Sequence, residues 1–582
     1  MIRQILTLTL GFAIQLFLLC SIAGARTAAA PSPQTQAAFN TLVDNYFDFY
    51  FQFQPTQGTQ AGFHQYDSKL EDFSRSAVEA EIAGLEKFHK QFGGIQRTEL
   101  SEDSAGDLEI LTSAIRARLL ELQSIQMWRK NPDLYTSDLS DSIFVIMRRN
   151  FAPPEERLRS LVARELQAPK VLEAARHNLR NPPKVYTQVA LQQLPDTILF
   201  FQKDVPEAFR EVKDPELLAR FKKSNDAVVE DLRNFQNFLQ EKLLPASNGD
   251  FRLGADNFSK KLLYDEMVDI PLDRLLEIGY ADLRRNQARL KEVAAQIDTK
   301  HTPAEVLANL RKDHPQPDQL LQTFRDTLGG LRQFLKKKKI ISLPSAVPPI
   351  VEETPPFERA LTTASMDTPG AYETKGAEAM FNVTLPEANW KPEKVEMWMQ
   401  SFSRGTIAST AIHEVYPGHY TQFLWLHAAP SKTRKLLYSN TNAEGWAHYG
   451  EQMMLDEGYG NNDPELRLGQ LTDALLRDAR FIVGIKMHTG KMTLDQAQKF
   501  FIDEGFQVPP VAEAEAKRGT SDPTYLYYTL GKLQILKLRE DYRKLHGGKL
   551  NLKKFHDSFM RQGSVPIKIV RKSMLGEDGP TL

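Results

Sequence analysis

The chain has 582 residues, 41% hydrophobic and 25% charged, which places it among folded globular proteins long enough to bury a large core. Its 73 basic and 74 acidic side chains leave a formal charge of −1, so no general field draws it to nucleic acid, and no nucleic-acid partner is expected. Cys20 is the only cysteine, so disulfide stapling is excluded and any metal must be held by histidine and carboxylate.

Residues 1–25 read as a secretory signal peptide: Arg3, an apolar run from Ile5 to Ile22, then the small-residue step Ala23-Gly24-Ala25. Ala28-Ala29-Ala30 offers a second cleavage point. Two alternatives stand beside this reading. The apolar run is about 18 residues, long enough for an uncleaved anchor. A lipoprotein joined through Cys20 is the other, although Leu19 occupies the position where a small residue is expected. The expectation is an exported protein, periplasmic or secreted, with no stable membrane insertion once the signal is removed.

Residues 31–335 are patterned as a helical N-terminal half. The stretches 214–244 and 272–298 place apolar residues every three or four positions among charged ones. Turn chemistry interrupts the pattern at Asn181-Pro182-Pro183, Pro245 to Gly249 and His314 to Pro317. The lysines 336–339 read as a solvated helix end. Residues 336–403 then form a Pro-rich insertion with short extended pieces, 378–385 above all, and the Asn382-Val383-Thr384 sequon within it reads as coincidence. Helices resume over 404–582, the half that carries the chemistry. The predicted class is mostly α, a large body in two halves around a deep cleft with a short β insertion near 340–385; whether the halves are one fold is left open.

The chemistry centres on HEVYPGHYTQ, residues 413–422. In the zinc-hydrolase motif H-E-x-x-H the two histidines share one helical face, but six residues on a straight helix turn through about 240°, which separates them. Pro417-Gly418 answers this: a helix distorted there swings His419 back toward His413. Glu414 would then act as general base. AEGWAHYGEQM follows at 443–453. Zinc needs a third protein ligand and one open position, and Glu444 is the choice for that ligand. His448 and Glu451 lie one and two turns further on the same face, each able to orient a ligand through a hydrogen bond; His448 as a ligand itself is the alternative.

HEVYPGH, AEGWAHYGE, RDARFIVGIKMHTGKMTLDQA, YYTLGKLQILKLR and FHDSFMRQGSVP together resemble the bacterial family catalogued as domain of unknown function 885, over most of the mature chain. That family is regarded as similar to the helical gluzincin zinc peptidases, the angiotensin-converting-enzyme-like and Taq-type carboxypeptidases. The resemblance implies a helical body split by a cleft, with His413, His419 and Glu444 as ligands of one Zn2+ per chain and Glu414 as base. The chain departs from the family at Tyr420 and at Gly484-Ile485-Lys486, where relatives often carry His and Asp-Thr-Gly.

Amide hydrolysis also needs donors for the oxyanion, and His488 and Tyr528 are the candidates. Arg480 and Arg539 are candidates for a substrate carboxylate, and 378–385 for an extended edge that pairs with a peptide. The expected function is an exported zinc metallopeptidase acting on short peptides. The alternatives are a zinc hydrolase of non-peptide amides or esters and a non-catalytic helical binding protein.

Overall fold

The computed structural model describes residues 31–355, 359 and 362–582. The expected signal peptide and Cys20 lie outside the described residues. Helices form where the charged and apolar periodicity is strongest and stop at turn chemistry. In the first half, α1 (Glu102–Leu120) is capped by Ser101, whose hydroxyl accepts from the Ser104 N–H. In α2 (Pro215–Phe238) the Asp214 carboxylate accepts the N–H groups of Glu216 and Leu217, and Pro215 sits in the first turn, where its missing donor costs nothing. Leu217, Phe221, Val228, Leu232 and Phe235 form its buried stripe. The pattern read over 214–244 continues past α2 as a widened turn at Leu239–Leu243. Then come α3 (Leu272–Ile297) and α4 (Leu320–Lys338). Lysines 336–339 are all exposed at the carbonyl-bearing end of α4, as expected of a solvated terminus.

The insertion holds β1 (Ile350–Glu353), β2 (Ala364–Asp367) and β3 (Met380–Val383), in the order β1-β3-β2. β1 runs parallel to β3, from Ile350 opposite Met380, and β2 antiparallel to it, from Ala364 opposite Val383. The stretch 378–385 is extended as expected, but it offers no free edge. β3 is the central strand, its Phe381 packed edge-on against Phe324 of α4. A strand this apolar is consumed by the core, so the edges fall to β1 and β2, of which β2 lines the cleft. Asn382 is buried and accepts a hydrogen bond from Arg148 at 3.1 Å, which removes the sequon from the surface.

The second half comprises α5 (Arg404–Glu414), α6 (His419–Leu426), α7 (Lys432–Leu436), α8 (Asn440–Asp456), α9 (Pro464–His488), α10 (Pro509–Ser521) and α11 (Tyr527–Leu545). α8 and α11 cross at Gly445 and Gly531, where a Cβ on Gly445 would overlap the Gly531 backbone. The two halves interlock: α9 packs along α3, and Lys532 of α11 forms a buried ion pair with Asp282 of α3 at 2.8 Å. The fold is mostly α with a short β insertion, as the patterning predicted. No described helix is long and apolar enough to cross a membrane.

Candidate metal centre

The HEVYPGH segment is two helices, not one bent helix. α5 ends at Glu414, α6 begins at His419, and the Tyr416–Pro417 peptide bond between them is cis. Gly418 carries its N–H back to the Ile412 carbonyl at 3.0 Å, and a Cβ there would overlap the His413 carbonyl oxygen, so only glycine fits. Trp446 of α8 donates its indole N–H to the Pro417 carbonyl at 2.8 Å and pins the turn from the other side. The result brings the His413 and His419 rings edge to face, with centroids 4.8 Å apart.

Glu444 of α8 completes the group. One of its oxygens lies 3.2 Å from His413 Nε2 and 3.4 Å from His419 Nε2, and one ligand atom from each of the three residues lies within 4.8 Å of the other two. That oxygen is buried with no hydrogen-bond partner among the described residues, as is His419 Nδ1. Burial alone would raise the Glu444 pKa, but His419 and then His413 hold it well below the carboxylate range. Glu414 faces the same cleft, and burial pushes its carboxyl above its ordinary value. The cleft has a volume of about 560 Å³, and its walls come from β2, the segment 435–440, α6, α8 and Tyr528.

Behind the centre sits a charged network. His413 Nδ1 donates to Glu451 at 2.6 Å, which turns Nε2 toward Glu444 on the cleft side. Burial opposes a charge on His413, yet Glu444 and Glu451 lift its pKa to about 9. Glu451 is fully buried and also takes Arg477 at 3.0 Å and His448 Nδ1 at 3.0 Å. Despite its burial, Arg477 and then His448 hold its carboxyl far below the usual range. Burial and Lys532 push His448 down to about 3, so it is neutral. His448 gives its Nδ1 to Glu451 and stands outside the converging group of His413, His419 and Glu444.

Tyr528, in the first turn of α11, lines the cleft and lies nearly parallel to His413 with ring centroids 6.3 Å apart. Burial and then Glu444 raise its pKa, so it remains an O–H donor. The guanidiniums of Arg480, Arg477 and Arg518 stand 4.9, 5.4 and 6.0 Å from its ring centre.

Three expected site residues are placed elsewhere. His488 is fully buried: Nε2 donates to the Gly519 carbonyl at 2.7 Å, Nδ1 accepts from the Leu253 N–H at 3.4 Å, and Phe251 and Phe258 pack on the ring. Both nitrogens are committed to backbone, so His488 positions helix ends and is no oxyanion donor. Arg539 donates to the Tyr449 hydroxyl at 3.1 Å and is not part of the cleft wall. Arg480 neighbours the site through Tyr528, but both arms of its fork are held by Glu515 at 2.7 Å, so neither Arg480 nor Arg539 is free to take a substrate carboxylate. Sequence reasoning missed Arg477. It stands in the middle of α9, and its only signal was a charge amid the apolar faces of that helix.

The family described as "Bacterial protein of unknown function (DUF885)" matches residues 55–574. No curated protein matches. Among solved structures, "a putative lipoprotein of unknown function from Shewanella oneidensis" is 26% identical with a TM-score of 0.78, over 92% of this chain and 99% of that one. "The putative lipoprotein from Colwellia psychrerythraea" is 18% identical with a TM-score of 0.79, over 93% of this chain and 98% of that one, and shares the fold.

Proposed function

The chain belongs to the bacterial family of unknown function DUF885, and from that premise and the site geometry we propose that it is a zinc-dependent hydrolase of short peptides. The observation that carries this reading is the convergence of His413, His419 and Glu444 at one side of a cleft, with a Glu444 oxygen buried and otherwise unanswered. Two imidazole nitrogens and a carboxylate oxygen suit zinc, and three protein ligands leave the open position of a catalytic site. The ligand set resembles that of the helical gluzincin peptidases, which supports the choice of reaction. Zinc held there supplies the Lewis acidity that amide hydrolysis needs at neutral pH.

The chain's own residues do the rest. Glu414 takes the proton from the attacking water and delivers it to the leaving amine. Tyr528 donates its O–H to the carbonyl oxygen as charge develops there. β2 lies along the cleft with its outer edge unpaired by any strand among the described residues, so an extended peptide backbone can add to it. The Thr363 carbonyl accepts from the Thr384 N–H at 2.9 Å, and antiparallel alternation then turns Ala364 and Met366 outward. The Thr362 hydroxyl already engages both backbone groups of Ala364, which leaves those of Met366 to the substrate.

The protein is placed outside the cytoplasm on the build of residues 1–25. The Shewanella relative is described as a "putative lipoprotein", which adds weight to Cys20 as a lipid attachment point, a role that Leu19 by itself argued against.

The test is metal analysis and peptide hydrolysis on the wild type and Glu414→Gln. Wild type should hold one zinc and cleave short peptides, and the variant should keep its zinc and lose roughly 10²- to 10⁴-fold in kcat. Wild type that binds no zinc rejects the proposal; one that binds zinc and cleaves only esters or non-peptide amides redirects it.

A further inference from the structure

Two anionic side chains, Glu414 and Glu444, line the cleft, and both belong to the metal centre. The lining holds one lysine, Lys435 on α7. It rests on Tyr372, with Nζ 5.7 Å from the ring centre, and has no carboxylate partner among the described residues. The arginines around the site are committed: Arg477 to Glu451, Arg480 to Glu515, Arg518 to Asp522 and Arg539 to Tyr449.

A second group on the same wall is unanswered. Ser564 lines the cleft at 2% exposure, and its hydroxyl has no hydrogen-bond partner among the described residues. Its backbone runs beside the segment that carries Lys435. The Ser564 carbonyl accepts from the Ser439 N–H at 2.7 Å, and Gly563 packs against the Arg434 backbone. A buried hydroxyl without a partner is costly, and an ammonium without a counter-ion on the wall of a cleft is an open half of an ion pair. A carboxylate answers both.

We infer that Lys435 and Ser564 receive the free α-carboxylate of a short peptide, so that cleavage proceeds from the carboxyl end. This rests on the hydrolase reading above and adds the end of the substrate that is recognised. An enzyme that trims amino ends needs an anion free for the substrate ammonium, and both carboxylates of this cleft are already engaged at the metal centre. An enzyme that cuts internally needs no cation for a chain end on the cleft wall.

The test uses the zinc-loaded full chain and three amino-blocked tripeptides: one with a free terminal carboxylate, its carboxamide, and a carboxamide with Glu as the last residue. The free acid should be preferred over its amide by roughly tenfold or more, mainly through KM. Lys435→Met should abolish that preference by raising KM for the free acid alone. Lys435→Arg should keep most of it, and Ser564→Ala should weaken it about threefold. Zinc content and melting temperature matched to wild type certify each variant. Equal rates on acid and amide, an undiminished preference in Lys435→Met, or cleavage of the Glu amide as fast as the free acid overturn the inference and leave the hydrolase reading standing. A zinc-loaded chain that cleaves none of the three removes that reading, and this inference with it.

Discussion

Glu165 and Glu451 are both fully buried carboxylates, one in each half of the molecule, and they are kept in opposite ways. Glu165 receives the Ser224 hydroxyl and the Asn225 amide, the latter at 2.9 Å, and no cation among the described residues pairs with it. Burial wins there and pushes its pKa up to about 7. Glu451 is met by Arg477, His413 and His448, and stays ionised. The scaffold half tolerates a buried acid by letting it keep its proton, whereas the half with the metal centre surrounds one with charge. The difference follows from what each does: Glu165 joins two helices, while Glu451 must remain an anion to hold the His413 Nδ1 proton and turn Nε2 toward Glu444.

The contrast predicts a ranked set of outcomes. Removing Glu451 as Glu451→Ala should have the largest effect, about 3–5 kcal/mol of stability by denaturant unfolding, because Arg477 is left buried and unpaired. Zinc affinity by competition with a chelator should fall about 10- to 100-fold in the same variant, since His413 loses its orienting acceptor. A Glu451 variant that unfolds and binds zinc like wild type would break the comparison.

Glu165→Gln should act in the opposite direction. The Glu165 pKa is about 7 in the folded chain against a reference value of 4.5, so the native state holds the proton more tightly. Stability from this group is therefore complete below about pH 4.5 and falls by about 3 kcal/mol as pH rises through 7. The glutamine variant should match wild type near pH 4 and exceed it by up to that amount at pH 8, read as melting temperature against pH. Parallel curves would show that the Glu165 pKa is the same in the folded and unfolded chain, and would break the comparison. Smallest of all, Ser224→Ala should cost about 1 kcal/mol, more at pH 8 than at pH 5, because the hydroxyl supports the ionised form.

The residues of the centre were legible in the sequence because metal chemistry restricts them to a few types, and HEVYPGH and AEGWAHYGE set those types at short spacings. Their convergence was legible too, since a Pro-Gly pair breaks the straight helix that would hold the two histidines apart. The form of the turn was not: a helix pair pinned by Trp446 differs from a bent helix only through contacts 29 residues apart. The same limit explains the misplaced donors. His488 ends α9 as expected, but which way that end faces depends on Gly519 and Leu253, and no local pattern encodes that.

Sequence alone determined the helical class and the extended character of 378–385, and it singled out His413, His419 and Glu444, which converge in the structure, because periodicity and side-chain chemistry act over a few residues. Tertiary structure alone decided that β2 and not β3 has the free edge on the cleft, that Arg477 and Glu451 support the centre, and that Lys435 and Ser564 face the cleft unpaired. Those outcomes depend on which charges find partners across hundreds of residues, and pairing in a buried interior is settled only when the whole chain has packed.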